Sequence, residues 1–375
     1  MGKDSEAFVA FDTSKLRHAV AIAEGNRDGE VRYLGEIDTH DAAVERLVKR
    51  IAGKYQRVTF CYEAGPTGYG LHRLIDGLGH ECMVVAPSLI PMKASDRVKT
   101  NRRDALNLAK LLRAGELTRV WVPDERHEAM RDLTRAREAA VADLVSKHQQ
   151  VMSLMLRLGR NYSGKRNWTR AHMLWLASQK LDHSEQRMVL EEGLLAIREA
   201  QERINRLEEA IRGAVPDWSL AALVPALMAL RGIDFISATA FLAEVGDLSR
   251  FQTARQFMGY LGLVSSERST GDTIIRGPIT KAGNRRARRI LVECSWSYRH
   301  PARVGKDKLA KVDAVPRPVR EIAWKAQCRL TARFRGLLRK GKLKTVAVTA
   351  IARELSGFIW AIARAVNAPS SALAA

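Results

Sequence analysis

Three carboxylates in the first third of the chain are spaced so that they could share one chemistry: Asp12, Glu63 and Asp104. Asp12 closes the apolar run Phe8 to Phe11, and Glu63 closes the run Val58 to Tyr62. Asp104 falls in the first turn of an amphipathic stretch opened by Lys99-Thr100-Asn101-Arg102-Arg103. Each alone has a plain explanation. An acid after a strand is often a solvated turn, and the helix macrodipole favours an acid in a first turn. Together they are what a metal-assisted attack on a phosphodiester needs. Two magnesium ions about 4 Å apart take several hard oxygen ligands from rigid elements on either side of the scissile phosphate. Arg102 and Arg103 would then face a phosphate backbone.

A second constellation lies far downstream. Ser265 to Asp272 reads as a polar loop containing Arg268, Ser269 and Thr270, and it runs on through Arg276 to Lys281 and Asn284. A helix then opens with Arg285, Arg286, Arg288 and Arg289. Cations in a first turn oppose the macrodipole, so an anion such as a DNA phosphate is expected there. A hydroxyl beside that phosphate is either a ligand or a nucleophile.

The elements that must position the acids follow from periodicity and turn residues. Phe8–Phe11, His18–Ala23 and Val31–Ile37 read as three short strands, separated by Asp12-Thr13-Ser14-Lys15 and by Gly25, Asn26, Asp28 and Gly29. A helix follows from Asp41 to Ala52, then a strand Val58–Tyr62, a helix Tyr69–Leu78, a strand Cys82–Ala86 and the helix carrying Asp104. The order βββαβαβα is that of an RNase H-like domain, expected over residues 1–118. Residues 119–213 read as a helical coiled-coil segment, with apolar residues at near-heptad spacing from Met130 to Leu158 and from Leu190 to Ile211. These two helices are expected to pair antiparallel, either offering an oligomer seam or forming a plain helical bundle core, with His148 as a polar seam residue. Tyr162 and Trp168, among basic residues between them, could contact nucleic acid. Residues 214–375 read as a mainly helical domain with a helix–hairpin–helix around Arg231-Gly232-Ile233, whose outward N–H groups suit phosphates. Lys306 to Pro318 reads as a basic linker.

Charge narrows the partners. The chain carries 62 Lys+Arg against 41 Asp+Glu, a formal charge of +21. Between Ser265 and Thr345 there are 22 basic residues and 6 acidic ones. Such local excess favours a polyanion, and nucleic acid binding should weaken steeply with salt. The four cysteines form no Cys-x-x-Cys pair and read as buried reduced thiols of a cytoplasmic protein. No histidine spacing suggests zinc. No signal peptide is expected, and no apolar run reaches the ~20 residues that span a bilayer, so no membrane partner is expected.

In its motifs the chain resembles the DEDD transposases of the insertion-sequence-110 family, relatives of the pilin-gene inversion recombinases. The residues that carry the likeness are Phe11-Asp12-Thr13-Ser14-Lys15, Tyr62-Glu63-Ala64-Gly65-Pro66-Thr67-Gly68 and Lys99 to Ala105. Downstream they are Gly232-Ile233, Gly262-Leu263-Val264, Ser269-Thr270-Gly271 and Ile279 to Asn284. The resemblance implies a RuvC-like domain, a coiled coil and a C-terminal transposase domain. It implies a serine that attacks DNA to form a phosphoserine link, with acids of the same or another protomer binding Mg2+ beside it. It also implies a structured bridge RNA that pairs with donor and target DNA, and a dimer or tetramer. Two positions depart from the pattern. Asn101 stands where the family has the first Asp of Asp-x-x-Asp; its carbonyl can ligate magnesium without charge, and Asp96 could supply the charge. Thr270 stands directly before Gly271, where the family has Ser. Ser269, the less hindered hydroxyl, is the expected nucleophile, and Thr270 the alternative. The competing functions are a junction-type nuclease without a covalent step, an inactive RNA/DNA scaffold, and a sugar-kinase-like ATPase.

Overall fold

The computed structural model describes residues 4–26, 28–91 and 100–367. Asp96 and Lys99 lie outside the described residues. The chain divides at Val122/Pro123 into two compact units.

The first unit is a mixed α/β domain. Strands β1 (Asp4–Asp12), β2 (Arg17–Glu24) and β3 (Val31–Asp38) precede α1 (Asp41–Ala52), β4 (Tyr55–Glu63), α2 (Gly70–Gly77), β5 (Glu81–Val85) and α3 (Asn101–Ala114). One sheet orders them β3-β2-β1-β4-β5. The first three form an antiparallel meander, while β1, β4 and β5 run parallel. Every strand and helix expected here is present, in the expected order.

The two faces of this sheet differ in bulk. Side chains alternate along a strand, and Val9, Phe11, Val20, Ile22, Phe60 and Tyr62 pack with Val44, Leu47, Val48 and Ile51 of α1 and with Ile75 of α2. The opposite face is built from Ala10, Ala19, Ala21, Ala23 and Cys61, and takes Ala105, Leu108, Ala109 and Leu112 of α3. Small residues on both partners let this one helix lie close to the strands. Its ends are fixed as well. Thr100 Oγ1 caps the N-terminus, accepting from Arg103 N at 3.3 Å. Arg113 Nη1 donates to Glu24 O and Gly29 O at 3.1 and 2.8 Å, tying the C-terminal end to the β2–β3 turn.

The second unit is mostly helical. It contains α4 (Glu125–Arg157), α5 (Arg170–Ala177), α6 (Ser184–Ala214), α7 (Leu223–Met228), α8 (Phe235–Val245) and α9 (Ala254–Tyr260). A hairpin of β6 (Ser265–Thr270) and β7 (Thr273–Ile279) follows, then α10 (Arg285–Ser295), α11 (Lys306–Asp313), α12 (Arg317–Arg339) and α13 (Lys344–Asn367). The long helices α4 and α6 run antiparallel, since Arg137 pairs with Glu208 while Val151 lies against Gly193. Beyond them one core gathers α7 to α13, with Phe241, Phe257, Leu291, Leu330, Ile351 and Ile359 inside it.

Several local expectations change. The polar stretch after Ser265 is a β-hairpin, not a loop, turned at Gly271-Asp272. The basic linker contains α11, and Cys328 is exposed while the other three cysteines are buried. Tyr162 and Trp168 turn onto histidines. Trp168 stacks on His148 at 3.7 Å between ring centroids, and Tyr162 meets His172 edge-on at 4.7 Å. At the Arg231-Gly232 hairpin the following helix is closed by its own cap. Asp234 Oδ1 accepts from Ser237 N at 2.8 Å in a capping box, so a carboxylate occupies the place expected for a phosphate. One helix, Lys344–Asn367, is after all long and apolar enough to cross a membrane, but half of its apolar window is buried, and Val348, Ile351, Leu355 and Ile359 lie in the core.

Candidate active site

Register and alternation bring Asp12 and Glu63 together. Phe11 pairs with Tyr62 across parallel β1 and β4, so the next residues, Asp12 and Glu63, end adjacent strands side by side. Both follow the alternation of Ala10 and Cys61, which places them on the α3 side of the sheet. The loops that follow are joined, since Thr67 Oγ1 donates to Thr13 Oγ1 at 3.3 Å. Ala64 N donates to Val85 O at 2.9 Å, and Tyr62 Oη to Gly68 O at 3.0 Å, holding the chain just beyond Glu63.

Asp104 arrives from above. On α3 it stands one turn before the buried Leu108, at the edge of the stripe that faces the sheet. Asn101, one turn earlier on the same side, is exposed, as are Arg102 and Arg103, while Asp12, Glu63 and Asp104 are half-buried. Tyr33 of β3 joins this neighbourhood. The Arg102 guanidinium lies 5.5 Å from the centre of its ring. Burial, then Glu36, pushes the Tyr33 phenol above its usual range, Asp12 adds to that, and Arg102 opposes it. Tyr33 escaped the sequence reading because nothing in its spacing marks it; its signal is its place in an alternating strand, two strands away from Asp12.

The donor chemistry suits a hard divalent cation: carboxylates and an amide carbonyl, all from regular elements. The set is open, however. Among the described residues no group of three or more His, Cys, Asp or Glu side chains stands close enough to hold a metal ion. Asp12 and Glu63 form a pair at the sheet edge, and Asp104 with Asn101 forms the adjoining helix end.

The second constellation sits on the β6–β7 hairpin and at the start of α10. Arg268, Ser269, Thr270 and Arg276 are all exposed on the hairpin. Its base is held by close backbone packing. A Cβ at Gly283 would stand 1.9 Å from Tyr260 O, and one at Gly262 2.1 Å from Ala282 O; both residues have positive φ. Lys281 N donates to Gly262 O at 3.1 Å and Thr280 N to Val264 O at 2.9 Å. The paired motifs Gly262-Leu263-Val264 and Ile279 to Asn284 are therefore the two sides of one joint.

The arginines of α10 are mostly engaged within the unit. Glu138 of α4 pairs with Arg286, and accepts from Arg289 Nη2 at 2.6 Å. Arg288 Nη1 donates to Leu261 O and Ala282 O, both at 2.9 Å. Asn284 caps α10, its Oδ1 accepting from Arg286 N and Ala287 N at 2.9 and 3.0 Å. Its Nδ2 donates to Glu244 at 2.8 Å, and Arg135 grips the same carboxylate through two bonds of 2.7 and 3.0 Å. Burial pushes the Glu244 carboxyl up, but the hydrogen bonds from Arg135 and Asn284 outweigh it and hold it below its usual range. The conflict between four cations and a helix dipole is thus relieved inside the unit, by Glu138 and by the Asn284 cap. Lys281 and Arg285 are the exposed cations here without a side-chain partner among the described residues.

Known proteins resemble this chain along most of its length. The IS110-type DEDD transposase family matches residues 9–159. The family described as "Transposase IS116/IS110/IS902 family" matches residues 224–308. A putative transposase, y4qE, of Sinorhizobium fredii is 59% identical over 96% of this chain and 89% of its own length. The transposase for insertion sequence element IS1533 of Leptospira borgpetersenii is 28% identical over 90% of this chain and 98% of its own. A probable family 20 transposase of Pseudomonas aeruginosa is 27% identical over 87% and 91% respectively. The class is therefore that of insertion-sequence transposases, enzymes that act on DNA and cut it. Within that class, the chain belongs to the IS110 family.

Proposed function

We propose that this transposase cuts and rejoins DNA through a covalent link between Ser269 and a DNA phosphate, aided by a divalent-metal site at Asp12, Glu63, Asp104 and Asn101. The observation that carries it is the adjacency of Asp12 and Glu63 at the ends of parallel strands, on the side that α3 covers. When bound, a cation such as Mg2+ would neutralise phosphate charge there. The side chains supply the rest. Asp12 and Glu63 offer paired oxygens, Asp104 a third from a rigid helix, and Arg102 and Arg103 attract the DNA backbone. On the hairpin, exposed Ser269 can reach a strand without rearrangement of a core, and Arg268, Arg276, Lys281 and Arg285 draw DNA toward it. The family resemblance and the basic excess support a structured guide RNA beside donor and target DNA. They also support assembly as a dimer or tetramer, with α4 and α6 as a coiled-coil seam exposing Val145, Leu156, Met188 and Val189. The reduced thiols fit a cytoplasmic setting.

The test uses labelled supercoiled DNA carrying the gene with both natural flanks, and RNA transcribed from those flanks. Cleavage that requires a divalent cation, and is lost in Asp12→Ala and in Glu63→Ala while DNA binding persists, is the expected result. Cleavage that survives both substitutions contradicts the acid site. Cleavage without any protein–DNA adduct favours plain hydrolysis.

A further inference from the structure

Ser269 has a carboxylate at hand. Side chains alternate along β6, so Glu267 and Ser269 share one face of the hairpin, and Arg268 and Thr270 the other. Ser269 Oγ donates to Glu267 Oε1 at 2.7 Å. Register places Arg276 of β7 opposite Glu267, and its Nε lies 3.5 Å from Glu267 Oε2. The Thr270 hydroxyl has no side-chain hydrogen bond among the described residues, so the two candidate hydroxyls are not equivalent. Only one is already oriented by a base.

We propose that Glu267 accepts the proton of the Ser269 hydroxyl during DNA cleavage, and that Arg276 positions the Glu267 carboxylate for that task. Glu267 plays this part only if Ser269 is the nucleophile, as proposed above. A serine hydroxyl is a weak nucleophile at its ordinary pKa and is activated by an adjacent base. In the step, the Ser269 Oγ–phosphorus bond forms and one phosphorus–oxygen ester bond to a deoxyribose breaks. The hydroxyl proton passes to Glu267 Oε1. The departing deoxyribose oxygen keeps the bonding electron pair and takes a proton from water. On rejoining, a deoxyribose hydroxyl gives its proton to water as its oxygen displaces Oγ, and the proton on Glu267 returns to the serine.

The charged groups facing Glu267 are Arg276 across the hairpin and Arg255 of α9. The Ser269 hydrogen bond first, then these cations, hold the carboxyl below its usual range, so it is ionised at neutral pH. A carboxylate of that kind is a modest base, which sets the expected contribution near the low end, about 100-fold. The hairpin face is open to solvent, with Glu267, Ser269 and Arg276 exposed, so substitutions there leave the core of the unit intact.

The test measures the rate of adduct formation against pH, with the full chain, the flanked DNA and the flank RNA. Wild type should lose rate as pH falls and Glu267 protonates. Glu267→Gln should form adduct about 100-fold more slowly, with DNA binding unchanged and the acid limb reduced to what the carboxylates of the first unit contribute. Arg276→Gln should move the limb to higher pH, because removing the cation lets the carboxyl protonate sooner. Glu267→Gln with the wild-type rate, or a slower rate with the acid limb of wild type unchanged, overturns the proposal. An adduct in Ser269→Ala, or none in wild type, overturns the serine nucleophile instead.

Discussion

The acid edge of the first unit and the arginine-rich start of α10 in the second carry opposite lessons about charge. At the acid edge, strand alternation and parallel register deliver carboxylates from separate elements to one side of one sheet, and no compact cluster of acids forms among the described residues. At α10, local sequence concentrates cations, and the fold then consumes them. Glu138 takes Arg286 and Arg289, backbone carbonyls take Arg288, and Glu244 with Asn284 anchors the helix start. A cluster in sequence therefore became structure, while residues far apart in sequence were brought to one side of one sheet.

The largest expected effect that separates the two regions is on cleavage. Glu63→Gln should reduce the cleavage rate by about 1000-fold or more with little change in thermal stability, because Glu63 ends a strand and is half-buried. A melting temperature that falls as steeply as activity would make Glu63 a structural residue.

Next in size is the buried anchor. Arg135→Ala leaves the buried Glu244 carboxylate with the Asn284 hydrogen bond and the nearby charge of Arg131. It should cost about 2 kcal/mol, less than the 3–5 of a fully buried pair because the Arg135 side chain is 43% exposed. Denaturant unfolding checks this. The pH dependence has a fixed sign. The Glu244 carboxyl is held below its usual range, so its stabilising contribution is present above that range and is lost as pH falls through the lowered value. Glu244→Gln should therefore flatten the acid side of the stability curve, at the cost of stability at neutral pH.

Smaller effects should appear in DNA affinity. Replacing Lys281 or Arg285 by Gln should each reduce the salt dependence of DNA binding by about one unit of slope. Replacing Arg286 or Arg289 should change that slope far less, since Glu138 already neutralises them. Equal slopes for all four variants would erase the contrast between free and engaged cations. The smallest effect is expected from Asn101→Asp, which adds charge beside Asp104 and should lower the metal concentration needed for half-maximal cleavage.

Much of the first unit was legible in the chain. Apolar runs ending in Asp12 and Glu63 marked strand ends, turn residues spaced the meander, and Leu108 and Leu112 marked the buried face of α3. What the runs did not disclose was the alanine face, Ala10, Ala19, Ala21 and Ala23, which admits α3, the helix that carries Asp104. Tyr33 was equally hidden, since its role depends on an aromatic–guanidinium contact with Arg102. In the second unit, composition misled. Polar residues from Ser265 to Thr270 looked like a loop, yet cross-strand pairing with Thr273 to Ile279 makes them a hairpin. Arginines at α10 looked like an empty anion site, because the answering carboxylate, Glu138, lies some 150 residues away in sequence, as the Arg289 pairing records.

The central claim, that DNA becomes joined to the hairpin hydroxyl beside Glu267, is tested most directly by trapping the cleavage intermediate on labelled flanked DNA and locating the nucleotide on the protein by mass spectrometry. A phosphodiester on Ser269, absent from Ser269→Ala and retained in Thr270→Ala, is the predicted result. A nucleotide on Thr270 or elsewhere, or cleaved DNA with no attached protein, would contradict it.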